Sequence, residues 1–232
     1  MPNIKENLLK LKERISSAAK RVDKDASAVK LIASTKDVPA SLIRDAVASG
    51  VSEIGENRLQ EAEAKYEELK DLAITWHMIG HLQTNKVKKA VNIFSVIQSV
   101  DSPRLADKIS TEARKAGKNV DIFLEINTSG EASKYGIIPE KAAETAEHVS
   151  RLPNLSLKGL MTVGPLTADN SRVRDSFRLL KNLSEQIKGK DLSNVEIKYL
   201  SMGMTDDFEA AIEEGSNLIR VGRAIFGIPH KH

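Results

Sequence analysis

Ile4, Leu8, Leu11 and Ile15 return at spacings of three and four, so the first twenty or so residues predict an amphipathic helix. Beyond it the period changes. Short β-rich runs alternate with stretches of helical spacing: VKLIAST from Val29, SEIGEN from Ser52, TWHMIG from Thr75, FSVIQSV from Phe94, VDIFLEIN from Val120, SLKGLMTV from Ser156, EIKYLSMG from Glu196 and NLIRVG from Asn217. These runs predict eight strands. Helix boundaries are marked as well. Pro39 and Pro103 sit near first-turn positions, Asp169 or Asn170 is placed to cap a helix beginning near Ser171, and Gly50 and Gly117 follow helix ends.

Strands that alternate with helices predict parallel βαβ units, and eight of them within 232 residues favour closure into a (β/α)8 TIM barrel, an α/β fold, carrying an extra N-terminal helix. An open, doubly wound sheet is the competing arrangement. It lacks support, because no G-x-G-x-x-G follows the first strand and GVSEIGE has the wrong context. No low-complexity linker divides the chain, and with 41% hydrophobic residues it can bury one sizeable core, so residues 1–232 are expected to form one domain.

Composition narrows the partners. The 35 basic and 32 acidic side chains leave a net charge of +3 and alternate along the chain, which gives no electrostatic footprint for nucleic acid. Lys86, Lys88 and Lys89 in NKVKKA read as a solvated helix face, since aromatic residues make up only 4% of the chain. There is no cysteine, hence no disulfide, thiolate nucleophile or Cys-based zinc site. The N-terminus lacks an apolar signal region and no stretch approaches the roughly twenty apolar residues of a membrane span, so a cytoplasmic protein without a membrane partner is expected. His77 and His81 span a strand and a turn instead of one helix face, which argues against a metal site, and the two histidines of the final IPHKH read as part of a tail.

In a barrel the C-terminal strand ends share one mouth, where function sits. Those ends supply Lys36; Glu56, Asn57 and Arg58; Gly80 and His81; Asp101; Asn127, Ser129 and Lys134; Met161 and Thr162; Ser201 and Gly203; and Arg220, Gly222 and Arg223. The last two strands carry glycines in LSMGMTDDFEAA and IRVGRAIFG, the loops where this fold often seats phosphate, and Thr205 with Asp206 reads as a helix start that would favour an anion. The same glycines also serve as plain tight turns. A lysine after a strand is commonly a solvated cation. At a desolvated mouth near other cations, however, its neutral amine is favoured and attacks carbonyls to form a Schiff base. Beside a phosphate seat, Lys36 therefore suggests a phosphorylated aldehyde, and pyridoxal 5′-phosphate (PLP) fits that description.

Six segments carry a resemblance: STK, IGENRLQEAEAK, WHMIGHLQTNK, EINTSGEASKYG, LKGLM and LSMGMTDDFEAAIEEGSNLIRVGRAIFG. In order and interval they resemble the PLP homeostasis protein family, related to the N-terminal barrel of alanine racemases. The resemblance implies a fold-type III PLP barrel in which Lys36 holds the cofactor as an internal aldimine. It further implies that Ser201, Gly203, Gly222 and Arg223 hold the phosphate, in part through backbone amides, and that Arg220 faces the pyridine nitrogen. Arginine donates a hydrogen bond without handing over its proton, so the ring would stay a poor electron sink, which suits a holder of the cofactor. Asn57 is expected as a donor to the ring and His81 as a wall or polar neighbour. Lys134 falls where relatives place a basic side chain, either contacting or transiently accepting PLP, or as a solvated loop residue.

Three functions compete. The resemblance implies a PLP-binding protein of intracellular PLP homeostasis that delivers the cofactor to apo-enzymes. A racemase would need a second base, which the related racemases place as a tyrosine on a C-terminal β-domain of a partner subunit. The chain stops at His232, and Tyr66, Tyr135 and Tyr199 match no such motif, so no C-terminal β-domain, a monomer and at most weak racemase activity are expected. An aldolase-like Schiff-base enzyme acting on a phosphorylated metabolite is the third reading, with Glu56 or Asp101 as acid or base.

Overall fold

The computed structural model describes residues 3–227. All eight predicted strands are present: β1 Lys30–Ser34, β2 Glu53–Glu56, β3 Thr75–Met78, β4 Val96–Val100, β5 Val120–Glu125, β6 Leu155–Met161, β7 Val195–Ser201 and β8 Leu218–Val221. They pair in sequence order, all parallel, and β1 closes on β8 with Ile32 opposite Arg220. Around this barrel lie α1 Ile4–Lys20, α2 Ala40–Ala48, α3 Leu59–Leu69, α4 Val87–Ile93, α5 Pro103–Lys115, α6 Ala142–Ser150, α7 Asn170–Lys188, α8 Phe208–Glu213 and α9 Arg223–Phe226. No helix among the described residues is long and apolar enough to cross a membrane. His230 and His232 of the expected tail lie outside the described residues.

The helical spacing of Ile4, Leu8, Leu11 and Ile15 gives α1 one buried face, which packs on α8 and α9. Its start is fixed by Asn3, whose side-chain oxygen accepts from the Glu6 amide. Pro103 occupies the first turn of α5 behind the capping Ser102, and Asp169 caps α7 by accepting from the Ser171 and Arg172 amides. Pro39 stands one residue earlier than a first-turn position, as the extended residue that leads into α2. The expected helix start at Thr205 and Asp206 is corrected: residues 205–207 form a turn and α8 begins at Phe208. The Asp207 carboxylate accepts from the Met204 amide, which closes that turn and delays the helix.

The apolar residues divide into two sets. A large core fills the space between strands and helices, while inside the barrel a small set, Ile32, Val96, Phe123, Met161 and Leu218, packs with Tyr199. Gly55 belongs to that interior: a Cβ there would come within 2.8 Å of Ile79 Cδ1 and 2.9 Å of Ile32 Cγ2. Because strand side chains alternate, Glu56 then points outward, toward α3.

Candidate functional site

Where β1 ends, the Thr35 amide donates to the Gly55 carbonyl at 2.9 Å, continuing the sheet by one residue. The Thr35 hydroxyl turns outward onto Glu56, 2.7 Å away, and Lys65 of α3 donates both to the Thr35 carbonyl and to Glu56, each at 2.7 Å. This knot pins the backbone directly before Lys36. It also removes Glu56 from the set expected at the mouth, since Gly55 occupies the inward position and Glu56 is fully buried against Lys65. Burial pushes the Glu56 carboxyl up, opposed by the Lys65 ammonium. After Lys36 the chain turns sharply through Asp37, whose φ is 58° and whose amide donates to Glu61.

Lys36 thereby reaches a cavity of about 230 Å³ that it shares with Ser34, Asn57, Arg220, Gly222 and Arg223. That is just under the roughly 300–1,000 Å³ common for small-molecule sites, which suits a compact ligand. Among the described residues the Lys36 amine has neither an ion pair nor a hydrogen bond. Every other lysine or arginine around the site is engaged: Arg223 pairs with Asp206, and Arg58 with Glu61.

Arg220 is buried at the end of β8. One terminal nitrogen donates to the Ser201 carbonyl at 2.8 Å and to the Ser201 hydroxyl at 2.5 Å, and the other donates to the Thr162 carbonyl at 2.8 Å. Three of five N–H groups are thus committed within the protein, and Arg220 also lines the cavity. Burial lowers its pKa to about 10, against the opposing charges of Asp207 and Glu125, so it stays protonated at neutral pH. Beneath it, Gly203 adopts φ of +97° and its carbonyl accepts from the Arg220 amide; a Cβ there would lie 2.6 Å from Ala211. Gly222 precedes the single turn of α9, so the first amides of that turn face the mouth side of β8.

The structure therefore brings Lys36, Asn57, Arg220, Gly222 and Arg223 together in one cavity. Ser201 and Gly203 lie behind it, with the Ser201 hydroxyl donating to Gln98 at 2.6 Å. The other two expected residues do not line this cavity. His81 Nδ1 sits 3.1 Å from Asp101, and its ring stacks on Tyr135 with centroids 3.9 Å apart. Lys134 donates to the Gly164 carbonyl at 2.7 Å and pairs with Glu131. Of the other tyrosines, Tyr199 is inside the barrel against Phe123 and Tyr66 packs on Trp76.

Sequence reasoning overlooked Glu125 and Gln98. Glu125 closes β5 on the interior side; burial and the neighbouring Asp101 raise its carboxyl to about 7, with Arg220 pulling the other way. Its place at the end of VDIFLE was a readable signal, because an acidic residue completing an apolar strand is rarely left buried without purpose. Gln98 had only the same weak signal, a polar residue inside VIQSV.

A closed parallel barrel whose first strand delivers an unpartnered lysine beside a buried arginine and an amide-lined turn defines the class: a (β/α)8 lysine-site barrel. A family profile described as alanine racemase, N-terminal domain matches residues 2–230. The chain is 41% identical over 225 residues to the pyridoxal phosphate homeostasis protein of Aquifex aeolicus, covering 97% of this chain and 98% of that one. It is 42% identical to the protein of the same name from Pseudomonas aeruginosa, covering 98% and 96%. Among solved structures, PipY of Synechococcus elongatus with PLP bound superposes with a TM-score of 0.82 at 34% identity, covering 93% of this chain and 99% of that chain. An alanine racemase of Clostridium difficile shares the fold, with a TM-score of 0.75 at 16% identity over 56% of its length. The chain belongs to the alanine racemase N-terminal-domain family, within it to the group of pyridoxal phosphate homeostasis proteins.

Proposed function

We propose that the protein binds PLP in the Lys36 cavity, holds it through a Schiff base on that lysine, and acts in intracellular PLP homeostasis by delivering the cofactor to apo-enzymes. The observation that carries this reading is the Lys36 amine: it lines the cavity with no partner among the described residues, while Arg223 and Arg58 are ion-paired and Arg220 is hydrogen-bonded. The donor set fits the group. When bound, PLP supplies an aldehyde for the amine and a phosphate for the anion seat. Lys36 provides the nucleophile, and Gly222 and Arg223 provide amide donors at a helix turn, with Gly203 and Ser201 shaping the floor. The uncommitted N–H groups of Arg220 supply a hydrogen bond to the ring nitrogen without transferring a proton. Asn57 donates to the ring from the β2 side.

His81 and Lys134 enter as rim groups, a polar wall and a second amine near the entrance. The naming of the relatives as pyridoxal phosphate homeostasis proteins, and the PLP in the PipY structure, support the cofactor. The reading has the protein working in the cytoplasm as a monomer. It is tested by titrating the purified protein with PLP, reducing with borohydride and mapping the adduct. An adduct on the Lys36 peptide is expected, and a colourless protein without adduct would overturn the reading. Mixing the loaded protein with an apo-PLP enzyme, and separately with L- and D-alanine, then decides between carrier and racemase: reactivation without enantiomer exchange supports the carrier.

A further inference from the structure

A continuous polar chain crosses the barrel interior from mouth to base. Arg220 donates to the Ser201 hydroxyl at 2.5 Å, and that hydroxyl donates to Gln98 Oε1 at 2.6 Å. Gln98 Nε2 lies 3.0 Å from His77 Nδ1. His77 Nε2 lies 3.1 Å from Glu53 Oε2, within ion-pair distance although off the line of a strong hydrogen bond, and Glu53 Oε1 accepts from Lys30 at 2.8 Å. Gln98 and Ser201 are fully buried and His77 is nearly so.

Chemistry fixes the direction of every link. A guanidinium only donates, so Ser201 Oγ accepts from it and has its own hydrogen left to give. That hydrogen needs an acceptor where both side chains are fully buried, which places the Gln98 carbonyl toward Ser201 and its amide N–H toward His77. His77 Nδ1 must then accept, so the imidazole is neutral with its proton on Nε2, facing the Glu53 carboxylate. With the opposite Gln98 orientation, the Ser201 hydrogen would be buried without a partner.

We propose that His77 is a positioning residue for Arg220, acting through Gln98 and Ser201. His77 touches no part of the cavity. By accepting from Gln98 it locks the amide, which locks the Ser201 hydroxyl as an acceptor for Arg220 and so fixes which N–H groups of the guanidinium are left for the ligand. Without His77 the amide is free to turn over, Ser201 loses its acceptor, and Arg220 loses its fixed orientation. The consequence for the ligand rests on the PLP reading above; the chain itself does not.

The experiment compares the full-length wild type with His77→Leu, which removes the acceptor, and His77→Asn, whose side-chain oxygen can accept from Gln98 in place of Nδ1. In the PLP-loaded proteins, His77→Leu is expected to weaken PLP binding about tenfold, ~1.4 kcal/mol, and to move the absorption maximum of bound PLP, with His77→Asn recovering most of both. In the cofactor-free proteins, the Arg220 Nε–H resonance is expected to move in His77→Leu and return in His77→Asn. An unmoved Arg220 resonance, or equal effects of the two substitutions, overturns the proposal. If wild type binds no PLP while the resonance behaves as expected, the cofactor reading fails and the positioning chain stands. If His77→Leu does not fold, Gln98→Met cuts the chain one link nearer the mouth without entering the cavity, and an unchanged Arg220 resonance there overturns it equally.

Discussion

Lys30 opens β1 at the base of the barrel and Lys36 follows its end at the mouth, and their surroundings differ. Lys30 donates to Glu53 at 2.8 Å and lies 5.0 Å from the Tyr199 ring centre. Lys36 has no partner among the described residues and opens onto the cavity. The carboxylates repeat the contrast. Burial pushes Glu53 up, but its contacts with His77 and the Lys30 ammonium together pull it down to about 2. Burial also pushes Glu125 up, and Asp101 adds to that, so with only Arg220 opposing it reaches about 7. Charges at the base are compensated, whereas at the mouth Lys36 and Glu125 are left short of partners. An uncompensated group in a folded core persists where a ligand or a reaction uses it, which marks the mouth as the working end.

The strongest way to break this comparison is to exchange the two lysines' fates. Lys36→Ala should abolish the borohydride-fixed adduct completely while leaving thermal stability within about 0.5 kcal/mol, the range of a substitution that removes no internal contact. Lys30→Ala should do the reverse, keeping the adduct and lowering stability by about 1 kcal/mol, because Glu53 loses one hydrogen-bonded partner. Peptide mapping and thermal melts of the two variants check both halves. An adduct surviving in Lys36→Ala would mean that the unpartnered amine is not the working group.

Glu125 gives the next largest effect. Its carboxyl is raised from 4.5 to about 7 by folding, so between these values the folded state binds a proton that the unfolded chain has released. Stability therefore falls as pH rises through that window, by about 3 kcal/mol for a single group at 1.36 kcal/mol per pH unit. Glu125→Gln should flatten the decline and be the more stable protein at pH 8, with the two converging below pH 4.5. Denaturant melts across pH 4–9 measure this; equal slopes in both proteins would show that Glu125 has partners enough to stay ionised.

The difference between the two ends explains what could be read from the sequence. The eight strands were legible because β-rich runs such as VDIFLE and LIRV are bounded by turns and helical spacing, a signal carried by neighbouring residues. Lys36 and Arg220 were legible because both sit at strand ends and, once the barrel is assumed, the mouth follows. The partners were not. Whether Glu56 faces the mouth or α3 depends on one step of the pleat at Gly55, and the chain linking His77, Gln98 and Ser201 joins β3, β4 and β7, which no local pattern connects. The turn at residues 205–207 escaped notice because Asp207 competes with the helix by accepting from the Met204 amide.

At the base, the sign reverses. Glu53 is held below its ordinary value, so its contribution is full above about 4.5 and is lost as pH falls through about 2. Because Lys30 is half exposed and screened, about 2 kcal/mol is expected instead of the full value of such a displacement. Glu53→Gln should shift acid unfolding to higher pH by destabilising the protein at neutral pH, and PLP affinity should change only as far as His77 is disturbed. Acid titration followed by circular dichroism checks the first statement. A variant as acid-resistant as wild type would remove the compensation argument from the base.

The smallest effect tests whether compensation separates structural from working groups within the mouth itself. His81 was expected to meet the cofactor, yet it resembles Lys30 more than Lys36: its Nδ1 is 3.1 Å from Asp101, its ring lies flat on Tyr135, and the hollow it lines contains Asp101, Ser102 and Arg104 without Lys36. If partners mark structural groups, His81→Ala changes PLP affinity by less than about twofold, ~0.4 kcal/mol, while loosening the stacked Tyr135 loop. If His81 instead contacts the cofactor, the same variant should weaken binding by about tenfold and shift the bound absorption. Spectral titration of this variant beside Asn57→Ala, a residue that does line the Lys36 cavity, separates the alternatives. A larger loss in His81→Ala than in Asn57→Ala would show that a paired side chain at this mouth still serves the ligand, and the rule drawn from Lys30 and Lys36 would then hold for the barrel axis but not for its rim.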